Sequence, residues 1–261
     1  MAVYEQIGKS YDQSRRADPY IVSRLNHYLR VRAGLSYLDV GCGTGNYTSA
    51  LAQSGGTWHG IDQSQLMIDV ARKKSQSIFW QLADVNRLPF SDKAFSGVVC
   101  TLAIHHFVSL SSAFSEIYRV IGTGNFVLFT STPEQMMRYW LVEYFPEAIY
   151  KSAEQMPSLA LVNDALSGSG FHSMETEDYF IQEDLQDFFL YSGKHRPAIY
   201  LDATVRSGIS TFTLLASETE IEKGCGKLEA DMKTGRIEDV IKKYEHGGGD
   251  YKFVIARKNI T

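Results

Sequence analysis

The 261-residue chain is poor in cysteine: Cys42, Cys100 and Cys225 are its only three, and none forms a CxxC pair. An odd, scattered count excludes a disulfide framework and fits a reducing, cytoplasmic setting. No apolar run approaches the roughly 18 residues of a membrane span, so no membrane partner is expected. The opening "MAVYEQIGKSYDQSRR" has no signal-peptide core. Positive charge is not in excess, with 26 Lys and Arg against 30 Asp and Glu and a formal net charge of -4. That argues against a nucleic-acid partner held by bulk charge. There is no G-x-x-x-x-G-K-[ST] and no H-x-x-x-H, and "DMKTGRIED" puts Lys and Gly where a calcium loop needs oxygen ligands. A phosphate-cradling loop and a metal site are therefore not expected. No repeat or low-complexity tract is present. At 44% hydrophobic and 21% charged, the composition is that of a compact globular protein.

What is there is alternation. Strand-like runs at 36–40, 57–62, 78–84, 96–104 and 125–131 are separated by runs of helical spacing at 46–55, 64–74 and 109–121. Strands alternating with helices predict parallel strands joined by crossover helices. The fold class expected is α/β: a doubly wound, Rossmann-like sheet. A helical, aromatic-rich stretch follows at 132–156, then a helix at 158–171, a strand at 172–181 and a last strand at 251–258. Within the long segment before that strand, Ser217 and Glu220 predict a capping box. The cofactor-binding core is expected at 1–132 with 157–181 and 250–261, and a substrate cap at 133–156 and 182–249.

The chemistry centres on "YLDVGCGTGNYTSAL", where a strand runs into Gly41, Gly43 and Gly45 and a helix begins. Ligands of open parallel sheets bind at such strand ends. Glycines there let the backbone approach a ligand closely. The dinucleotide fingerprint is G-x-G-x-x-G; here the third glycine comes one residue early and position 46 is Asn. Asp62 ends the second strand, placed to accept from ribose hydroxyls, and Asp84 ends the third, placed to accept from an adenine amino group. An adenosine held at both ends, with no pyrophosphate, suggests S-adenosylmethionine.

The ordered segments "LDVGCGTG", "GIDQSQLMIDVAR", "LADVNRLPF", "GVVCTLAIHHF" and "EIYRVIGTGNFVLF" resemble the motifs of class I S-adenosylmethionine-dependent methyltransferases, in the small-molecule branch that includes ubiquinone/menaquinone-type and natural-product enzymes. The resemblance covers about residues 35–131, the leading "YDQSRR" and the last strand. It implies a seven-stranded sheet with the last strand antiparallel. It places Gly41, Gly43 and Gly45 on the methionine part of the cofactor, Asp39 on its amino group, Asp62 on the ribose with Gln63 beside the adenine, Asp84 and Val85 on the adenine edge, and Thr101 at the sulfonium. "YEQIGKSYDQSRR" resembles a lid, with Tyr11 over the cofactor and Arg15 or Arg16 meeting a carboxylate. "VIGTGNF" departs from the usual Lys-Pro-Gly-Gly turn, which Gly122 and Gly124 are expected to replace.

His105 and His106 follow the fourth strand, where one should face the methyl acceptor and take its proton. Tyr139, Trp140 and Tyr191 make a candidate aromatic substrate wall, although an aromatic stripe is more often core. Lys194, His195 and Arg196 could meet an anionic group. The function expected is methyl transfer to an O, N or C atom of a small, partly apolar metabolite. The alternatives are a methyltransferase for protein or RNA and a dinucleotide-dependent oxidoreductase.

Overall fold

In the computed structural model of the chain, residues 11–258 are described. A seven-stranded sheet runs in the order β3-β2-β1-β4-β5-β7-β6. The strands are β1 (Ser36–Val40), β2 (Thr57–Asp62), β3 (Phe79–Leu82), β4 (Phe95–Thr101), β5 (Ile121–Thr130), β6 (Ser173–Tyr179) and β7 (Tyr251–Lys258). β1 to β5 pair in parallel, and β7 lies antiparallel between β5 and β6. Strand order reverses between β1 and β4, so the tips of those two strands open a crevice.

The helices of the sheet are α1 (Tyr11–Ser14), α2 (Pro19–Leu29), α3 (Asn46–Ala52), α4 (Gln65–Lys74) and α5 (Leu110–Val120). Their starts follow from local chemistry. The Asp18 side chain accepts from the N–H groups of Tyr20 and Ile21, and Ser64 caps α4 by accepting from the Met67 N–H. Beyond β5 come α6 (Pro133–Met136), α7 (Pro146–Gln155), α8 (Leu159–Gly168), α9 (Ala203–Ser207), α10 (Glu218–Thr234) and α11 (Arg236–Lys243).

Several boundaries depart from expectation. The stretch 132–156 is not one helix: α6, a 3-10 turn at Trp140–Glu143 and α7 follow one another. Pro146 has no N–H to continue a helix and instead opens α7. β4 ends at Thr101, and the chain turns through Leu102 into a 3-10 turn at Ile104–His106. Gly122 and Gly124 form no turn but lie inside β5, where a Cβ on Gly124 would come within 1.9 Å of the Ser96 carbonyl oxygen. The capping box is half made: Ser217 accepts from the Glu220 N–H, but the Glu220 carboxylate reaches the Ala148 N–H instead.

The two faces of the sheet carry different cores. One joins α5 and α8 to the sheet through Phe114, Ile117, Phe126, Leu166 and Phe171. The other runs without a break from α2 and α3 into the later segments, from Leu25, Tyr37 and Trp58 to Tyr139, Phe145, Tyr200 and Phe212. Residues 133–156 and 182–249 thus share one hydrophobic core with the sheet.

Candidate active site

Three adjoining hollows lie over the tips of β1, β2 and β4. The first is lined by the glycine turn with Asp39, Asp62, Thr101 and His106. The second is lined by Asp62, Gln63, Asp84, Val85 and His106. These two share Gly41, Asp62, Ala103 and His106, and form one trough. The third is lined by His105, Ser131, Met136, Phe189, Ile209 and Tyr251, among others. It meets the first at Tyr11, Arg15 and Leu102.

The trough takes its shape from the backbone. Gly41 and Gly45 have φ of 71° and 76°, and a Cβ would come within 2.6 Å of the Ala103 Cβ and 2.4 Å of the Trp80 ring respectively. Only glycine fits both demands. At Gly43 a Cβ would meet nothing within 4 Å. The Asp62 carboxylate accepts from the N–H groups of Gly43 at 2.9 Å and Ser64 at 2.8 Å, which fixes it against the turn. Asp84 is exposed and accepts from the backbone and side-chain amides of Asn86, both at 2.8 Å.

Asp39 is buried. Its Oδ2 accepts from the Thr48 hydroxyl at 2.6 Å, while its Oδ1 has no protein partner among the described residues. Burial pushes its carboxyl up to about 7; the Thr48 hydrogen bond opposes this and the Asp62 charge adds to it. Thr101 Oγ1 is likewise buried and unpaired. A buried acceptor with no donor is costly unless a ligand supplies one. An ammonium at Asp39 and ribose hydroxyls at Asp62 satisfy both carboxylates, so the trough fits the amino-acid and ribose ends of S-adenosylmethionine. It fits a dinucleotide poorly. The turn where a pyrophosphate would lie is crossed by α1, whose Asp12 carboxylate accepts from Thr44 at 2.7 Å, Asn46 at 3.3 Å and Lys74 at 2.6 Å. A pyrophosphate there would have to displace Asp12 from these three donors.

His105 and His106 diverge. His106 lines both parts of the trough and His105 lines the third hollow, with ring centroids 3.8 Å apart. Burial holds both imidazoles below the ordinary histidine value, and His106 sits at about 4. The His105 Nδ1 is buried without a hydrogen-bond partner among the described residues. Between the hollows, Leu102 adopts a left-handed conformation with φ of 54°, anchored by its N–H to the Phe129 carbonyl at 2.8 Å. A bulky residue held in that region stores backbone strain of about 1–3 kcal/mol.

Of the lid expected at the N-terminus, Tyr4 to Ser10 lie outside the described residues. Tyr11 lies between the cofactor trough and the third hollow. The cation at this boundary is Arg15, not Arg16, which is exposed and lines none of the three hollows. Arg15 donates through Nε at 2.5 Å and Nη2 at 3.2 Å to the buried Asp187, and Tyr47 donates to the same carboxylate at 3.1 Å.

The other expected substrate residues fall elsewhere. Tyr139 and Trp140 are fully buried and Tyr191 nearly so, and none lines a hollow. Tyr139 stacks on Tyr191 at 3.9 Å and donates to the Asp250 carbonyl, and the Trp140 indole donates to the Lys194 carbonyl. Their hydroxyl and indole groups have internal partners, so the aromatic stripe is core. Lys194 pairs with the buried Asp250 at 2.9 Å, His195 bonds the Ile181 carbonyl and Arg196 the Leu185 carbonyl, and none of the three lines one of the three hollows. Of the two aromatic segments "MMRYWLVEYF" and "FFLYSGKHRP" expected as a substrate wall, Met136 and Phe189 do line the third hollow, whereas Asp187, Ser152 and Thr211 carry no motif in the sequence and only the tertiary fold brings them to the site. Among the described residues no group of three or more His, Cys, Asp or Glu could hold a metal ion.

A family profile for a methyltransferase domain matches residues 38–129. A candidate methyltransferase of an antibiotic biosynthesis pathway in Anabaena variabilis, solved by crystallography, is 31% identical with a TM-score of 0.85; the match covers 94% of this chain and 100% of that one. The malonyl-[acyl-carrier protein] O-methyltransferase of Erwinia pyrifoliae is 31% identical over 138 residues, 52% of each chain. The demethylmenaquinone methyltransferase of Tropheryma whipplei is 29% identical over 132 residues, 47% of this chain and 54% of the relative. The chain thus spans about half the length of the curated relatives it matches. With the ordered motifs, the strand order and a solved relative matched over its full length, the chain belongs to the class I methyltransferases that use S-adenosylmethionine.

Proposed function

We propose that the protein transfers a methyl group to an O, N or C atom of a small, partly apolar metabolite. The observation that carries this reading is the junction of the hollows: the cofactor trough and a largely apolar third hollow meet at Leu102, Tyr11 and Arg15, with His106 on one side and His105 on the other. When bound, S-adenosylmethionine supplies an electrophilic methyl on sulfur with a neutral thioether as the leaving group. The remaining work belongs to the chain. Asp39 takes the amino group, Asp62 the ribose, with Gln63 beside the adenine and Asp84 and Val85 at its edge. Thr101, at the end of β4, lines the trough near the reacting carbon. Leu102 and Tyr11 narrow the junction, which excludes water and aligns acceptor with methyl. His105, on the acceptor side, takes the proton of a hydroxyl or an ammonium. Residues 133–156 and 182–249 act as the cap, since Met136, Ser152, Phe189 and Ile209 all come from them.

A concave, largely apolar acceptor hollow favours a metabolite over a protein or RNA substrate. The net charge of -4 and the three free cysteines support a cytoplasmic enzyme without a nucleic-acid partner. No helix among the described residues is long and apolar enough to cross a membrane. The test is a metabolite screen with methyl-labelled cofactor. Label should pass to uncharged or weakly polar small molecules; label passing only to protein or RNA, or to nothing, contradicts the proposal.

A further inference from the structure

The acceptor hollow has a second polar point that the methyl-transfer chemistry does not use. Ser152, on α7, and Thr211 both line it, and their hydroxyl oxygens lie 2.9 Å apart. Thr211 opens the π-helical turn Thr211–Leu215, a geometry that concentrates at functional sites. That turn is stabilised independently of the pair, because the Thr213 hydroxyl donates to carbonyls of the preceding turn. Two hydroxyls carry two hydrogens. One is used between them, and among the described residues neither hydroxyl has another hydrogen-bond partner. A donor in a largely apolar hollow is thus left for a ligand oxygen.

Among the described residues the wall is also electrically neutral. Its one charged side chain among the described residues is Arg15, held by two bonds to Asp187 and lying over the Tyr11 ring. A charged acceptor would have to be desolvated there without a counter-ion.

Resting on the methyltransferase reading, we infer that the acceptor is an uncharged, largely apolar molecule with two oxygen functions: a hydroxyl beside His105 that receives the methyl, and a distal carbonyl, ether or hydroxyl oxygen that accepts from the Ser152–Thr211 pair. Ser152 and Thr211 are then specificity-determining residues. They read a group remote from the reaction, and a site built to donate a hydrogen bond discriminates against analogues without the acceptor.

The experiment is calorimetric binding to the protein loaded with S-adenosylhomocysteine. The probes are a homologous series of para-hydroxyphenyl alkyl ketones, the matching para-alkylphenols without the carbonyl, and the matching phenols that end in a carboxylate. At least one ketone should bind about tenfold or more tightly than its deoxo partner, as one desolvated hydrogen bond implies. Carboxylates should bind more weakly than ketones. In Ser152→Ala/Thr211→Val the ketone preference should shrink to within about threefold, while Thr211→Ser, which keeps the hydroxyl, should retain it. Unchanged melting temperature and S-adenosylhomocysteine binding show that the variants fold. Equal binding of ketone and deoxo partner by the wild type, a preference that survives in the double variant, tightest binding of the carboxylates, or no binding of any probe overturns the inference. Methyl transfer to a bound ketone is read separately. The expected binding pattern with no transfer counts against the enzyme reading and leaves the acceptor geometry standing.

Discussion

Asp39 is the residue whose chemistry is most exposed to measurement. Its carboxyl sits at about 7 because it is buried, with one oxygen bonded to Thr48 and the other unpaired. In the free protein at pH 6 it is therefore mostly protonated. An ammonium placed against it favours the ionised form, so binding S-adenosylhomocysteine at pH 6 should release close to one proton, and at pH 8 much less. Calorimetry in buffers of different ionisation enthalpy reads this directly, and Asp39→Asn should abolish the release. The same group affects stability. Its folded value is raised, so its stabilising contribution is complete below the ordinary carboxyl value and is lost as pH rises through about 7. The histidines move the other way. Read from sequence, a base of ordinary pKa predicts a rate that rises through pH 6 to 7. Burial lowers both rings, to about 4 for His106. The imidazoles are thus already neutral at pH 6, and with the cofactor saturating, so that Asp39 is already ionised, kcat/KM for the acceptor should be flat from pH 6 to 8, with its acid limb lower. His105→Ala should reduce kcat by about 10²-fold for a hydroxyl acceptor while cofactor affinity stays within a few-fold. A near-normal kcat in that variant, or a rise centred between pH 6 and 7, refutes the assignment.

Among the elements, those of the sheet were legible in the sequence, β6 and β7 included, as were α8 and the Ser217 cap of α10; the aromatic segments beyond β5 were much less so. Each sheet element declares itself by a short apolar run, a glycine or a serine cap, all of which act within a few residues. The aromatic segments do not, because whether a ring faces a ligand or a neighbouring ring depends on contacts far along the chain. Tyr139 meets Tyr191, and Trp140 meets the Lys194 carbonyl. The prediction for them changes accordingly. Trp140→Ala should cost about 3–5 kcal/mol of stability, read as a large fall in denaturation midpoint, with no selective effect on acceptor KM. A variant with normal stability and a raised KM would restore the wall reading. The short helix α1 shows the same limit. Its composition gives no sign that Asp12 reaches Thr44 and Lys74, or that the Ser14 carbonyl accepts from the Phe188 N–H. Those bonds tie α1 to both the glycine turn and the segment that carries Asp187.

At the scale of the molecule, one strand reversal and one antiparallel strand determine what can be bound and where. The glycine turn, Asp62 and Asp84 meet because β1, β2 and β3 are adjacent and parallel, so their carboxyl ends fall on one edge. That adjacency follows from local rules of connection, and for this reason the meeting of these strand ends at one trough could be read from sequence. The acceptor half is assembled from α1, α7, the segment around Phe189 and the turn at Thr211, which no local rule brings together. The central claim is that this crevice holds S-adenosylmethionine and excludes a dinucleotide. Its most direct test is calorimetric titration of the protein with S-adenosylhomocysteine and, separately, with NAD, on the wild type and on Asp62→Ala. The wild type should bind S-adenosylhomocysteine and give no heat with NAD, and Asp62→Ala should weaken the former by about 1–3 kcal/mol through loss of the ribose acceptor. No heat with S-adenosylhomocysteine, saturable binding of NAD, or unchanged affinity in Asp62→Ala would contradict the account.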